Sequence, residues 1–130
     1  MVVHPGHALA GNDRLGVRDL SGLRIIVRSY CELWPECRAM LEANGIDLRQ
    51  CHEVNSDHDA IGLLESGLGV GLLPVSTLIG DNLCALALDQ TLDRALCLYV
   101  VAGRQRSPVL NSFVNLLRAT DWSRFEGEAA

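Results

Sequence analysis

The apolar positions of this chain alternate between short β-branched runs and stretches with helical spacing. Residues 23–29 (LRIIVRS) contain an uninterrupted apolar run that is typical of a strand buried on both faces. In residues 33–41, apolar side chains recur every three or four positions, as on one face of an amphipathic helix. Asn44-Gly45 then supplies a left-handed stop, with Pro35 tolerable only in the first turn. The pattern predicts a strand followed by a helix.

The same order of elements repeats along the chain. A strand is expected near residues 50–55, a helix with Ser56 as its N-cap and Asp59 in its first turn, and a strand over residues 70–74. Weaker patterns predict a helical turn over residues 75–79 and a strand over residues 84–88. In residues 94–102 both alternating sets are apolar, which predicts a strand covered on both faces.

A final helix is predicted from Ser107-Pro108 to about Ala119, because serine is a good N-cap and proline suits the first helical position. The residues expected to point inward from this helix are Val109, Leu110, Phe113, Val114 and Leu117. The tail after Trp122 is expected to fray.

Strands separated by helices predict an α/β fold with three layers, in which helices cover both faces of a mostly parallel sheet. The unit is expected to extend over residues 17–88. Its predicted core consists of Ile25, Val27, Leu41, Ile61, Leu64, Leu72 and Leu73.

Composition narrows the class of protein. The chain has 130 residues, of which 48% are hydrophobic, enough for one packed domain. No apolar run approaches the roughly 20 residues that cross a bilayer, and the start does not resemble a signal peptide. The five cysteines are an odd number without a CxxC pair, which favours reduced thiols over a disulfide framework. These features predict a soluble cytoplasmic protein without membrane contact.

The charge pattern argues against DNA binding by the chain itself. Eleven basic residues, all arginine, stand against 16 acidic ones, for a net charge of −5. The arginines are scattered singly, whereas DNA binding depends on clustered cations that neutralise phosphates.

The glycines of residues 67–71 (GLGVG) do not form a dinucleotide-binding loop. Such a loop lies between a strand and the helix that it opens, whereas these glycines lie between a helix and the following strand. A tight helix-to-strand turn is the better interpretation.

Other motifs also fall short of a catalytic or metal site. Pro5 and Gly6 keep His4 and His7 from aligning on a helix, and adjacent residues such as Cys51 and His52 point to opposite faces of a strand. Cys31 and Cys37 are six residues apart, a poor spacing for chelation on a helix. We therefore predict no catalytic residue, no metal and no cofactor.

Ligands of open parallel sheets bind beyond the carboxyl ends of the strands, where helix N-termini point their free N–H groups. Three such ends, residues 28–30, 55–57 and 74–77, carry hydroxyl or amide groups suited to a small polar ligand. Ordinary structural roles also remain open: Ser56 can cap its helix, and Ser29 can turn the chain. The candidate ligand-binding residues are Arg28, Ser29, Tyr30, Asn55, Ser56, Pro74, Ser76 and Thr77.

The order of segments resembles the effector-binding domain of LysR-type transcriptional regulators. Residues 4–10 (HPGHALA) are similar to the family's His-Pro-Leu-Ala segment with about two residues inserted, and residues 17–22 (VRDLSG) resemble the approach to the second lobe. The strongest match is residues 61–74, ending in ESGLGVGLLP. Residues 94–102, followed by Ser107-Pro108 and Phe113, resemble the return strand and final helix.

The resemblance implies a type 2 periplasmic-binding-protein-like fold, with two α/β lobes that hold an effector between them. It assigns residues 1–16 to a remnant of the first lobe and the crossover, and residues 17–102 to the second regulatory lobe. Residues 103–122 become the return segment and C-terminal helix, and residues 123–130 a tail. Most of the first lobe and the DNA-binding head lack a counterpart in this sequence.

The resemblance also implies that the chain is the ligand-sensing regulatory domain of a dimeric or tetrameric transcription regulator. Its implied partners are a small-molecule effector and DNA, the latter only through the absent head domain. The apolar stripe of the final helix favours a homodimer. Two other functions stay open: a stand-alone small-molecule-binding or protein-interaction domain of the same fold, and a cysteine-dependent enzyme.

Overall fold

The computed structural model describes residues 1–74, 77 and 82–123. It divides the chain into two compact units, residues 1–94 and residues 95–130. Most of the turn predicted over residues 75–79 lies outside the described residues, as does the tail from residue 124 onward.

The first unit is built on a five-stranded sheet. The strands of the chain are β1 (Val2–Val3), β2 (Arg14–Leu15), β3 (Ile25–Arg28), β4 (His52–Val54), β5 (Val70–Gly71), β6 (Cys84–Ala85) and β7 (Ala87–Leu88). The sheet has the order β4-β3-β5-β1-β6, and β2 and β7 form a separate parallel pair. β3 is parallel to both of its neighbours, whereas β1 runs antiparallel to β5 and β6. The mostly parallel α/β sheet predicted from the sequence is confirmed.

The described part of this unit also contains two α-helices, α1 (Trp34–Ala43) and α2 (Asp57–Glu65), and short 3-10 helices at Val17–Leu20 and Leu48–Gln50. α1 ends at Ala43, and Gly45, just beyond its C-cap Asn44, has a φ of 79°, the left-handed conformation that glycine adopts readily. α2 begins at Ser56, whose hydroxyl accepts a hydrogen bond from the backbone N–H of Asp59. Both helix boundaries follow the local signals in the sequence.

The side chains of β3 alternate between two hydrophobic clusters, as the pleat of a strand requires. Ile25 and Val27 pack with Cys37 and Leu41 of α1. Ile26 packs on the other side with a cluster that includes Leu64 of α2. Helices therefore cover both faces of the sheet, in the predicted three layers.

The predicted core is only partly correct. Ile25, Val27, Leu41 and Leu64 are buried, whereas Ile61, Leu72 and Leu73 are half-buried. Leu72 and Leu73 follow the last residue of β5, beyond the paired part of the strand, so the sheet covers them less completely.

Part of the N-terminal segment, residues 1–16, packs in the core of the first unit. Val2 and Val3 are 1% and 0% exposed, and β1 lies between β5 and β6. Leu15 is also buried in the cluster on the α1 side of the sheet. A two-residue strand has no periodicity of its own, so only pairing with its neighbours reveals it.

The described part of the second unit contains one helix, α3 (Pro108–Ala119), capped by Ser107 as predicted. The prediction of a strand over residues 94–102 is wrong, because residues 91–101 have no regular structure. Leu96 and Tyr99 are 86% and 88% exposed. A strand exists only through hydrogen bonds to a neighbouring strand, and the described residues of this unit contain none.

The inward face expected for α3 is also mostly exposed. Val114 is buried, whereas Val109, Leu110 and Phe113 are 79%, 47% and 53% exposed. The spacing of apolar residues predicted the helix correctly, but it did not reveal what covers the helix.

A glycine at the start of β5 provides a test of the sheet. A Cβ atom on Gly69 would overlap the carbonyl oxygen of Arg24, which accepts the hydrogen bond from Val70 that starts the pairing of β5 with β3. We expect Gly69→Ala to lower the free energy of unfolding by about 1–3 kcal/mol, as overpacking does. Chemical denaturation followed by circular dichroism measures this loss.

Gly62→Ala is the matched control. Gly62 lies within α2 with no atom near the position of its missing Cβ, so alanine there should stabilise the protein by about 0.5–1 kcal/mol. Equal effects of the two substitutions would contradict the proposed close approach at Gly69.

Candidate functional site

The carboxyl ends of β3, β4 and β5 lie at one edge of the sheet, because these three strands are parallel neighbours. Arg28, the last residue of β3, is in register with Val54, the last residue of β4. The N-terminus of α2 follows two residues later. This edge therefore brings a buried arginine close to a helix N-terminus.

Arg28 forms the centre of a polar cluster. Its side chain is 8% exposed, and its Nη1 atom lies 2.6 Å from Oδ1 of Asp57, the first residue of α2. The hydroxyl of Tyr30 donates a hydrogen bond to the same oxygen. The guanidinium also lies over the Tyr30 ring, 5.8 Å from the ring centre. One carboxylate thus joins the end of β3 to the start of α2.

The ionisation of this cluster follows from its contacts. Burial by itself would lower the pKa of Arg28, but the hydrogen bond and charge of Asp57 outweigh it and raise that pKa. The hydrogen bond from Tyr30, followed by that from Arg28, lowers the pKa of Asp57. Burial and the hydrogen bond to Asp57 raise the pKa of Tyr30. The three groups are a cation, an anion and a neutral phenol at neutral pH.

A second layer of charged and polar groups surrounds this cluster. The Sγ atom of Cys31 lies 3.6 Å from Nη2 of Arg28 and 3.7 Å from Oε2 of Glu32. Glu32 forms an ion pair with Arg94, and the charge of Arg94 contributes to the lowered pKa of Asp57. The edge thus carries two cations among its carboxylates.

The hydroxyl of Ser56 has a structural role. It accepts the backbone N–H of Asp59 at 3.1 Å and donates to the Asp59 carboxylate at 2.7 Å. This is the capping role that the sequence left open. Asn55 is exposed and Ser29 is half-buried at the neighbouring strand ends.

Pro74 and Thr77, two of the residues predicted after β5, are joined by a hydrogen bond. The backbone N–H of Thr77 donates to the carbonyl oxygen of Pro74 at 3.0 Å, and both residues are half-buried. Ser76 lies outside the described residues. The structure therefore joins Arg28 and Tyr30 in one cluster and places Ser56 beside it, while Pro74 and Thr77 follow the adjacent parallel strand.

Sequence reasoning missed the partners of Arg28. Asp57, Cys31, Glu32 and Arg94 were not proposed as site residues, although Asp57 follows Ser56 directly. The available signal was the arginine at the end of an otherwise apolar strand. A buried charge is costly unless it is paired, and the start of the helix after the next parallel strand offers the nearest carboxylate.

Cys37 and Cys51, two cysteines that contact the core, do not have the character of nucleophiles. Burial raises the pKa of Cys37 to about 11 and also raises the pKa of Cys51. Catalytic thiols need a depressed pKa, because the thiolate is the reactive form. A cysteine-dependent activity at these two residues is therefore disfavoured.

Over residues 1–74, 77 and 82–123, no group of three or more histidine, cysteine or acidic side chains is arranged to hold a metal ion. None of the helices in this part of the chain combines the length and apolar character of a membrane span.

An open depression lies at the opposite edge of the sheet, near the end of α2. It is lined by His4, Pro5, Glu65 and Asn82, and the Asn82 amide donates to Glu65 at 3.2 Å. None of the predicted ligand-binding residues lines it.

Two solved structures share the fold of this chain. The CcmR regulatory domain of Synechocystis PCC6803, in complex with 2-PG, superposes with a TM-score of 0.68 at 16% identity, over 99% of this chain and 63% of that one. The effector-binding domain of QuiR, in complex with shikimate, gives a TM-score of 0.64 at 22% identity, over 88% of this chain and 56% of that one. The chain thus spans less than two thirds of the length of either structure.

The sequence itself matches a family. The family model described as the LysR substrate binding domain matches residues 1–122 of the chain. The resemblance drawn from the order of segments is therefore confirmed, as is the type of fold that it implied. Because the match extends over nearly all of its 130 residues, this chain belongs to the LysR substrate-binding domain family.

Proposed function

We propose that this chain senses a small polar effector for a LysR-type transcriptional regulator, and that the effector binds at the carboxyl ends of β3, β4 and β5. The observation that carries the proposal is the cluster of Arg28, Tyr30 and Asp57 at this edge. Parallel sheets bind ligands at such edges, where a helix N-terminus adds free N–H groups. The family match and the ligands named for QuiR and CcmR support an effector of small size.

The effector would occupy a cleft between two lobes, of which this edge forms one wall. The predicted residues remain the candidates for contact. Ser29, Asn55 and Thr77 are the ones best able to offer hydrogen bonds, since the Ser56 hydroxyl is engaged in capping. Binding would favour one arrangement of the lobes over another, which is how a ligand shifts a conformational equilibrium.

DNA recognition in such a regulator would come from a head domain outside these 130 residues. The scattered arginines and the net charge of −5 give this part no basic face for phosphate contact. We propose a cytoplasmic location, as suits a regulator of transcription. A stand-alone binding domain is the principal alternative, and we propose no enzymatic role.

Alanine substitutions at the strand ends test the binding site. We expect Ser29→Ala and Thr77→Ala each to weaken effector binding by about two- to tenfold, because a neutral hydrogen bond contributes about 0.5–1.5 kcal/mol. A library of metabolites that includes shikimate and 2-PG supplies the ligands. Titration calorimetry measures the dissociation constant of each hit.

Two further variants separate binding from folding. Ser66→Ala, at the far end of α2, removes a hydroxyl that bonds Gly62 and should leave affinity unchanged. Ser56→Ala should lower stability by about 1 kcal/mol through loss of the cap. If Ser29→Ala and Thr77→Ala both leave the affinity of every hit unchanged, the proposed position of the site is wrong.

The ion pair at the strand ends gives stability a defined dependence on pH. Because the pKa of Asp57 is lowered in the folded state, its charged carboxylate contributes fully to the free energy of unfolding above the ordinary aspartate pKa. This contribution is lost as the pH falls through the pKa that Asp57 has in the folded state. We expect the difference in unfolding free energy between the wild type and Asp57→Asn to be largest near neutral pH. It should shrink as the pH falls from about 5 to about 2.

Urea denaturation at a series of pH values measures this difference. Asp13→Asn, at an exposed position, is the control for loss of one negative charge. A difference for Asp57→Asn that stays constant over the whole range would show that the carboxylate charge does not hold the cluster together.

We also propose that the chain forms a homodimer through α3. The helix exposes an apolar stripe consisting of Val109, Leu110, Phe113 and Leu116. Burying a side chain of this size is worth about 1.5–3 kcal/mol, and two-fold self-association is the commonest way to cover such a stripe.

Phe113→Asp should therefore shift the chain from dimer to monomer, because it places a charge within the stripe. Ser112→Asp puts the same charge at an exposed polar position of the same helix and should preserve the dimer. Light scattering behind a sizing column at micromolar concentration gives the mass. A monomeric wild type would contradict this assembly.

A further inference from the structure

The hydrogen bonds of Arg28 within the described residues leave one edge of its guanidinium without a carboxylate partner. Nη1 donates to Asp57 at 2.6 Å, and Nη2 contacts the sulfur of Cys31 at 3.6 Å. The Nε atom is completely buried and has no hydrogen-bond partner among the residues that the structure describes. A buried donor left in this way destabilises the folded state, and more so when it carries charge.

The geometry of arginine determines what would satisfy this edge. The N–H groups of Nε and Nη2 lie side by side in the planar guanidinium and point in nearly the same direction. Their separation matches two oxygens of a carboxylate or a phosphate, which bind them in a bidentate arrangement. A thiol sulfur is a weak acceptor and meets at most one of the two donors.

We infer that the Nε–Nη2 edge of Arg28 is the subsite for an oxyanion, and that the effector of this domain carries a carboxylate or phosphate group. The inference rests on the proposed effector function and names the chemical class of its ligand. Asp57 keeps Nη1, so the guanidinium would bridge the protein carboxylate and the ligand anion.

Cys31 contacts this edge at Nη2 of Arg28. Its side chain is half-buried, and its hydrogen bonds to Arg28 and Glu32 are long. Rotation about one side-chain bond would move the sulfur away, and the contact that it gives up is weak. The anion then replaces a poor acceptor with two good ones.

A second cation, Arg94, lies near this edge, close enough to contribute to the lowered pKa of Asp57. The side chains of Arg94 and its partner Glu32 are 42% and 55% exposed, so Arg94 can leave this surface ion pair and turn towards a ligand anion. The N-terminus of α2 adds the positive end of its dipole.

The Nε–H group of Arg28 can be observed directly in proton–nitrogen correlation spectra of the full 130-residue chain. Sodium acetate and sodium phosphate are the probes, titrated separately at constant ionic strength, with sodium chloride and acetamide as controls. We expect a saturable shift of the Arg28 Nε–H resonance with at least one oxyanion and none with either control. Acetate alone would identify a carboxylate subsite, and phosphate alone a phosphate subsite.

Variants assign the binding to this edge. Arg28→Lys keeps the positive charge but lacks the paired donors, so we expect it to weaken binding at least about tenfold, which corresponds to about 1.4 kcal/mol. Cys31→Ala should bind the same anion more tightly because it opens the edge. Arg38→Lys, at the exposed pair with Glu42, is the matched control and should bind as the wild type does.

Absence of a saturable shift with both anions, in the wild type and in Cys31→Ala, would overturn the inference even if Arg28→Lys fails to fold. The proposed function fails separately. If neutral or cationic metabolites bind in a manner that depends on Ser29 and Thr77 while the Arg28 resonance is unmoved, effector sensing stands and the oxyanion subsite is wrong.

Discussion

The burial of β3 on both faces is the constraint on which the rest of the first unit depends. Its three apolar residues are each less than 5% exposed, and burying a side chain of this kind stabilises the fold by about 1.5–3 kcal/mol. A strand buried in this way needs a neighbouring strand on each side and a helix on each face. β4 and β5 supply the strands, and α1 and α2 cover the faces.

The position of the candidate site follows from the same constraint. Parallel pairing brings the ends of β3 and β4 together, so the residue that ends β3 meets the helix that follows β4. Because Arg28 still lies within the buried zone, its charge needs a carboxylate, and Asp57 provides one. The polar cluster thus forms because the apolar strand β3 ends in the charged residue Arg28. Its incomplete hydrogen bonding is what makes it a candidate for ligand recognition.

In the described part of the second unit, most apolar side chains are exposed. Residues 95–101 have the composition of a buried strand, and α3 has the apolar spacing of a packed helix, yet most of these side chains are exposed. The solved relatives are longer than this chain, which spans 63% of CcmR and 56% of QuiR in the structures compared. The exposed apolar side chains of α3 are the ones through which we propose self-association.

The sequence by itself determined the elements whose signals are local. β3, α1, α2 and α3 follow from apolar spacing, and their ends follow from residues such as Gly45, Ser56 and Ser107, because caps and turns depend on a few neighbouring residues. The parallel sheet and the family also followed, since both rest on the order of segments.

Tertiary structure alone decided the contacts between distant segments. Val2 and Val3 became a strand of the sheet only through pairing with β5 and β6, and residues 94–102 did not become a strand because hydrogen bonding to a neighbour was missing. The partner of Arg28 lies 29 residues away, and its unsatisfied Nε depends on the packing of several segments at once. Periodicity reports which face of an element is apolar, but only the assembled chain determines what that face, or a buried charge beside it, will meet.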